Sequence, residues 1–130
     1  MLNTTYYISK GVELSSIVVE LYETRDGKCP VAEFINSLEP KMQAKVIKTI
    51  DLLEENGNSL REPYSSSIGR GIFELRVKHG SDITRILYFF FIGNKAILTN
   101  GFVKKQNRTP KSEISLAKKY KEDYEERNLQ

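Results

Sequence analysis

The 130-residue chain has no tryptophan, one cysteine, one histidine, 8 glycines and 4 prolines. A lone Cys29 cannot close an internal disulfide, and a lone His79 cannot anchor a metal cage, so a disulfide scaffold, structural zinc and haem-type ligation are excluded and no metal or other cofactor is expected. Sparse glycine and proline, set beside 39% apolar and 28% charged residues, exclude a collagen-like, low-complexity or wholly disordered chain. The longest apolar run, Ile86 to Ile92, has the length of a buried strand and falls far short of the ~20 residues of a membrane-spanning helix, so no membrane is expected as a partner. Met1 to Lys10 lack a basic stretch followed by an apolar core, which makes a cytoplasmic protein the expectation. The length suits one domain, read here as residues 17–130 behind an N-terminal extension, 1–16.

What the chain does have is an uneven distribution of charge. The net charge is +3, yet residues 1–68 carry 7 basic and 10 acidic side chains, while residues 69–108 carry 8 basic (Arg70, Arg76, Lys78, Arg85, Lys95, Lys104, Lys105, Arg108) against 2 acidic (Glu74, Asp82). Residues 109–130 balance at 5 and 5. A concentrated positive segment points to a polyanionic partner, either a phosphate backbone or an acidic protein segment.

Ile17 to Glu23 is rich in β-branched residues and predicts a strand, ended by the Asp26-Gly27 turn. Pro30 suits the first turn of a helix carrying Val31, Phe34, Ile35 and Leu38. Pro40 starts a second helix, in which Met42, Val46, Ile50 and Leu53 form the apolar stripe and Lys41, Lys45, Lys48 and Asp51 lie mostly away from it. Asn56-Gly57 is the stop, and Asn58 to Gly71 reads as a long polar loop. Strands are expected at 72–78, 83–92 and 95–103, the last two joined by a two-residue Gly93-Asn94 hairpin. Thr109-Pro110 reads as an N-cap and first residue of a final helix reaching about Arg127. The order β-α-α-β-β-β-α predicts an α+β fold, with a helical hairpin on one face of a mainly antiparallel four-stranded sheet and the other face left wet.

Alternation along the first of the three late strands sends Phe73, Leu75 and Val77 to the core and Glu74, Arg76 and Lys78 to the open face. Arg85 interrupts an otherwise apolar strand and needs either a partner or a polar groove. The third strand exits into Lys104 and Lys105. Cations converging on one surface suit phosphodiester recognition, because guanidinium forks match phosphate oxygens and stabilise the charge that grows on a five-coordinate phosphorus. RNA cleavage by its own 2′-hydroxyl needs no metal, only alignment, charge stabilisation and proton transfer. The same residues also admit a structural reading, in which Glu74, Arg76 and Arg85 form a cross-strand ion-pair network and Lys104 and Lys105 are solubilising. His79 then is an ordinary turn residue, and Cys29 an inert residue at a helix start.

The runs Leu21 to Ile35 (LYETRDGKCPVAEFI), Gly71 to Val77 (GIFELRV), Thr84 to Tyr88 (TRILY) and Gly101 to Ile114 (GFVKKQNRTPKSEI) resemble the phage-derived, HigB-like branch of the RelE toxin superfamily over about residues 17–125. The resemblance implies the RelE-like fold and the toxin of a type II toxin–antitoxin system. Such a toxin is a metal-independent endoribonuclease that cuts messenger RNA on the translating ribosome. It is neutralised by a helix-turn-helix, HigA-like antitoxin, through which alone it meets operator DNA. The superfamily's catalytic positions fall on Arg76, Arg85 and Lys105, with Lys78 and Lys104 as RNA-backbone contacts. Arg70 and Arg108, from the same basic segment, join the RNA-binding candidates, and Tyr88 is the candidate for a base-stacking or structural role. Glu74 stands where some relatives place a lysine and is the candidate acid or base; the C-terminal catalytic tyrosine of some relatives has no match after Thr109. The alternatives are a non-catalytic module that binds nucleic acid or an acidic protein and, third, a phage-assembly subunit.

Overall fold

A computed structural model describes residues 17–104 and 108–129, Lys104 by its backbone alone. The extension 1–16 and Lys105 therefore lie outside the described residues. The elements are β1 (Val18–Leu21), α1 (Pro30–Asn36), α2 (Pro40–Asn56), β2 (Ser65–Gly69), β3 (Ile72–His79), β4 (Asp82–Phe91), β5 (Lys95–Lys104) and α3 (Lys111–Asn128). Both prolines stand at the first helical position of α1 and α2, where the missing N–H costs nothing. Gly57 ends α2 with φ 55°, a conformation a glycine adopts without strain.

The α+β class stands, with five strands rather than four. The sheet runs β1-β5-β4-β3-β2, antiparallel throughout except for the parallel β1–β5 pair. The added strand is β2, inside the segment read as loop; Ser65, Ser66 and Ser67 pair with Leu75, Glu74 and Phe73. Serines carry little strand signal of their own, and the ladder with β3 imposes the conformation. The hairpin between β4 and β5 also differs by one residue: Phe91 pairs with Lys95, so Ile92-Gly93-Asn94 is a three-residue connection.

The open face of the sequence reading is largely closed. On one side Leu75, Val77, Ile86, Tyr88, Ala96 and Leu98 bury against Val31, Met42, Val46 and Leu53 of α1 and α2. On the other side Ile72, Leu87 and Phe102 bury with Ala117 of α3, and Phe89, Phe91 and Ile97 bury with Tyr124 of the same helix. The physical reason is the unbroken apolar run of β4, since a strand that alternates apolar on both faces must be covered on both. Among the described residues, the end of the sheet beyond the first turn of α3 is left accessible at Arg76 and Lys78. There β2 accompanies β3 no further than Leu75 and the Tyr64 carbonyl takes the Arg76 N–H, which leaves Val77 to His79 as a sheet edge. Among the described residues no helix is long and apolar enough to cross a membrane.

The C-terminal half of α3 is locked to β1 and the turn after it. The Tyr22 hydroxyl donates to Asp123, which also accepts from Arg25 Nε (2.7 Å) and Arg127 Nε (3.0 Å). Burial, then the neighbouring Asp123 carboxylate, pushes the Tyr22 phenol from 10.0 up to about 12; burial and Glu20 do the same for Tyr124. Donation from Tyr22 and Arg127 holds Asp123 well below the usual carboxylate range.

Both phenols bind their protons more tightly in the folded chain, so their contribution is complete below pH 10 and is lost as pH climbs towards 12. Thermal unfolding from pH 8 to 12 is expected to show Tm falling over that window, and Tyr22→Phe is expected to make the fall shallower. A second expectation concerns Gly101 in β5, where an added Cβ would sit 2.5 Å from Phe34 Cδ2 and 3.2 Å from the Arg85 carbonyl. Gly101→Ala must displace the Phe34 ring of α1 and is expected to cost about 1–3 kcal/mol in denaturant unfolding.

Candidate functional site

Register brings the two arginines of β3 and β4 together. Arg76 and Arg85 are direct cross-strand partners, and Glu74, two residues before Arg76, lies on the same face. Both cations converge on one carboxylate oxygen: Arg76 Nε donates to Glu74 Oε2 at 2.7 Å, and Arg85 Nη1 lies 3.8 Å from the same atom. The other oxygen, Oε1, accepts the Thr109 hydroxyl, and Arg85 Nη1 donates to Thr109 Oγ1 at 3.4 Å. Glu74 is 0% exposed and Arg85 1%, so this is a buried network between two strands and the entry to α3. Thr109 thus does not cap the helix as expected; Pro110 holds the N-cap position, and the threonine side chain turns inward to Glu74.

Arg76 is the member that reaches water, with its side chain 33% exposed, and its Nη1 lies 3.6 Å from the exposed Glu62. It lines a cavity of about 260 Å³ together with Pro63, Lys78, Ile83 and Arg85. The hollow therefore presents one accessible guanidinium, one mobile-stemmed lysine at the rim and a buried guanidinium behind them. Such an arrangement can hold an anion in a fixed place, because Glu74 orients both forks before a ligand arrives.

The other sequence candidates divide. Lys78 is exposed beside Arg76, as the alternation of β3 requires. Lys104 ends β5 opposite Ile83, Arg108 is exposed just before Thr109, and Lys105 lies outside the described residues. Arg70 does not join the hollow. It occupies the turn before β3 with φ 57° and lines a separate cavity of about 400 Å³ with Lys111 and Lys118 of α3. For Tyr88 the structural alternative holds and the base-stacking one is corrected: it is 1% exposed on the α1/α2 side of the sheet, with its hydroxyl bonded to Ser65 and its ring packed on Phe73 and Phe90, so no base can stack on it. Glu74, the candidate acid or base, is fully buried and engaged by three partners, which makes it a positioning group. His79 closes β3, paired with Asp82 across the turn.

Sequence reasoning missed the wall that α2 and the segment before β2 raise beside Arg76. A second cavity of about 360 Å³ is lined by Lys45, Lys48, Tyr64, Arg76 and Lys78 among others. The spacing of Lys45 and Lys48 on one helix was readable, but nothing in the sequence told a solvated stripe from the wall of a groove.

A family model described as phage-derived protein Gp49-like matches residues 33–122, and the chain belongs to that family. This membership agrees with the phage-derived origin to which the motifs point. A crystal structure of an archaeal RelE–RelB complex from Pyrococcus horikoshii OT3 is similar at a TM-score of 0.46 and 15% identity, covering 72% of this chain and 99% of that one. A search of curated proteins returns no match.

Removing Glu74 strips the buried Arg85 of this carboxylate. Glu74→Ala is expected to cost about 3–5 kcal/mol in denaturant unfolding. Glu74→Gln, which keeps shape and an acceptor oxygen, is expected to cost clearly less; equal losses for the two would contradict an ionic role.

Proposed function

We propose that the chain is the toxin of a type II toxin–antitoxin pair, an endoribonuclease that cuts messenger RNA in the cytoplasm during translation. The observation that carries this reading is the juxtaposition of Arg76 and Arg85 at the end of the sheet that α3 leaves open, both aimed by Glu74. Membership in a phage-derived family and the motif set support it. In this account a phosphate enters the hollow against Arg76, displacing the exposed Glu62 carboxylate, and Lys78 holds an adjacent phosphate. Arg85 adds its positive field from behind and secures the strand carrying Arg76. The RNA supplies its own nucleophile: the 2′-hydroxyl attacks the adjacent phosphorus, a 2′,3′-cyclic phosphate forms, and the 5′-oxygen of the next nucleotide leaves. Fixed cations stabilise the dianionic five-coordinate phosphorus along that path. Lys105, Lys104 and Arg108 extend the contact along the backbone where β5 leaves the sheet. A helix-turn-helix antitoxin, covering the hollow or its rim, neutralises the toxin and brings it to operator DNA.

A second reading has its own support. Arg85 is nearly inaccessible and Arg76 is held by two carboxylates, as in a module that grips nucleic acid or an acidic protein without cutting it. The two readings part on scission. Expression of the chain is expected to arrest growth and to produce cut transcripts in a translating extract. Arg76→Ala, with folding verified by thermal unfolding, is expected to lower the cleavage rate by about 10²-fold. A folded Arg76→Ala protein that cuts as fast as the parent would falsify the site assignment. Salt-sensitive RNA binding with no scission by the parent favours the binding module.

A further inference from the structure

The cavity of about 360 Å³ beside the proposed cleavage site shares Pro63, Arg76 and Lys78 with it, so the two hollows adjoin at the edge of β3 that carries Arg76. Its walls are built from parts the nuclease reading leaves unused. Lys45 reaches from α2 to the open edge of β3, where its Nζ donates to the Lys78 carbonyl at 3.2 Å. That bond fixes an ammonium over a strand edge that β2 has abandoned. Lys48, three residues on, is exposed and makes no ion pair among the described residues. Opposite them stands Tyr64, 44% exposed, with no aromatic partner among the described residues. Its position is rigid all the same, because Arg76 N–H donates to the Tyr64 carbonyl at 2.9 Å and Tyr64 N–H donates to the Arg61 carbonyl at 3.0 Å. A flat apolar ring with a polar tip, on a segment bonded to the backbone of the proposed reactive arginine and sharing its groove with two ammonium groups, Lys45 tethered and Lys48 free to adjust, has the composition of a single-strand nucleotide subsite, in which a ring stacks a base and cations take the phosphates.

We infer that the groove between α2 and the edge of β3 is a subsite for an unpaired ribonucleotide flanking the scissile phosphate, with Tyr64 stacking its base and Lys45 and Lys48 holding its phosphates. The inference rests on the nuclease reading for the word scissile but not for the binding itself. Glu62, 68% exposed and 3.6 Å from Arg76, is the carboxylate that an incoming phosphate must displace, so it opposes binding from the junction of the two hollows.

The test uses the full chain and a fluorescent hexaribonucleotide carrying 2′-O-methyl groups throughout, which cannot be cut. Anisotropy is expected to show Tyr64→Ala weakening binding about tenfold or more, from the loss of one stacked base, while Tyr64→Phe stays within about twofold of the parent. Lys45→Ala with Lys48→Ala is expected to weaken binding and to flatten the slope of log affinity against log salt by about 1.4, from two lost single-strand phosphate contacts. Glu62→Gln is expected to tighten binding. Thermal unfolding verifies that each variant is folded. Parent-like affinity in folded Tyr64→Ala overturns the inference, as does a polyglutamate peptide of equal charge competing as well as RNA, since that marks an acidic-protein site. Cleavage of a natural transcript, followed in parallel, separates the two claims. Parent protein that cuts RNA while its hexanucleotide affinity ignores Tyr64 and both lysines overturns the subsite alone. Tyr64-dependent binding without any scission overturns the nuclease and leaves the subsite standing.

Discussion

One buried carboxylate organises this molecule. Glu74 receives Arg76 and Thr109 as hydrogen-bond donors and lies within ion-pair reach of Arg85, at a point where water does not reach the pair it makes with Arg85. Two guanidinium groups facing each other across a β-ladder repel; the shared carboxylate turns that repulsion into a fixed geometry. It also ties three parts of the chain together, since Glu74 and Arg76 belong to β3, Arg85 to β4 and Thr109 to the approach to α3. The site and the junction of helix with sheet are thus the same object. A change that loosens one loosens the other, which gives the arrangement a meaning beyond stability.

The remaining architecture keeps that junction at an end of the sheet that the described helices leave uncovered. α1 and α2 close one face and α3 the other, so the sheet is buried where β4 and β5 are apolar and accessible where polar side chains gather. β2 stops short of Arg76, which frees an edge that Lys45 of α2 reaches over to bond. The charge asymmetry along the chain acquires a spatial form here. The basic segment supplies the floor and rim, and the helix of the otherwise acidic N-terminal half supplies two of the ammonium groups beside it.

How much of this was legible in the sequence follows from where the deciding physics lies. β3, β4 and β5 and all three helices were legible because their apolar periodicity and proline signals are local. The pairing of Glu74, Arg76 and Arg85 was legible too, since a lone arginine in an apolar strand demands a counter-charge. β2 was not, because Ser-Ser-Ser-Ile-Gly becomes a strand only through its neighbour. The covering of the second face was legible only in part: helical spacing marks Ala117 and Tyr124 as the inner side of α3, and both are buried, but nothing local says which face of the sheet that helix closes. Tyr88 was weighed for base stacking and is core, while Tyr64, in the segment read as loop, drew no reading and is exposed. The tyrosine in the strand is core, and the one in the loop is exposed, because alternation assigns a face but not which layer later closes over it.

The most direct measurement is a structure of the chain bound to an uncuttable oligoribonucleotide. The account predicts a phosphate within hydrogen-bond distance of the Arg76 guanidinium, with Glu62 turned away, Arg85 still beside Glu74 and the RNA continuing along the groove beneath α2. An oligonucleotide seated instead in the cavity between Arg70 and α3, with Arg76 still held by both carboxylates, would contradict it.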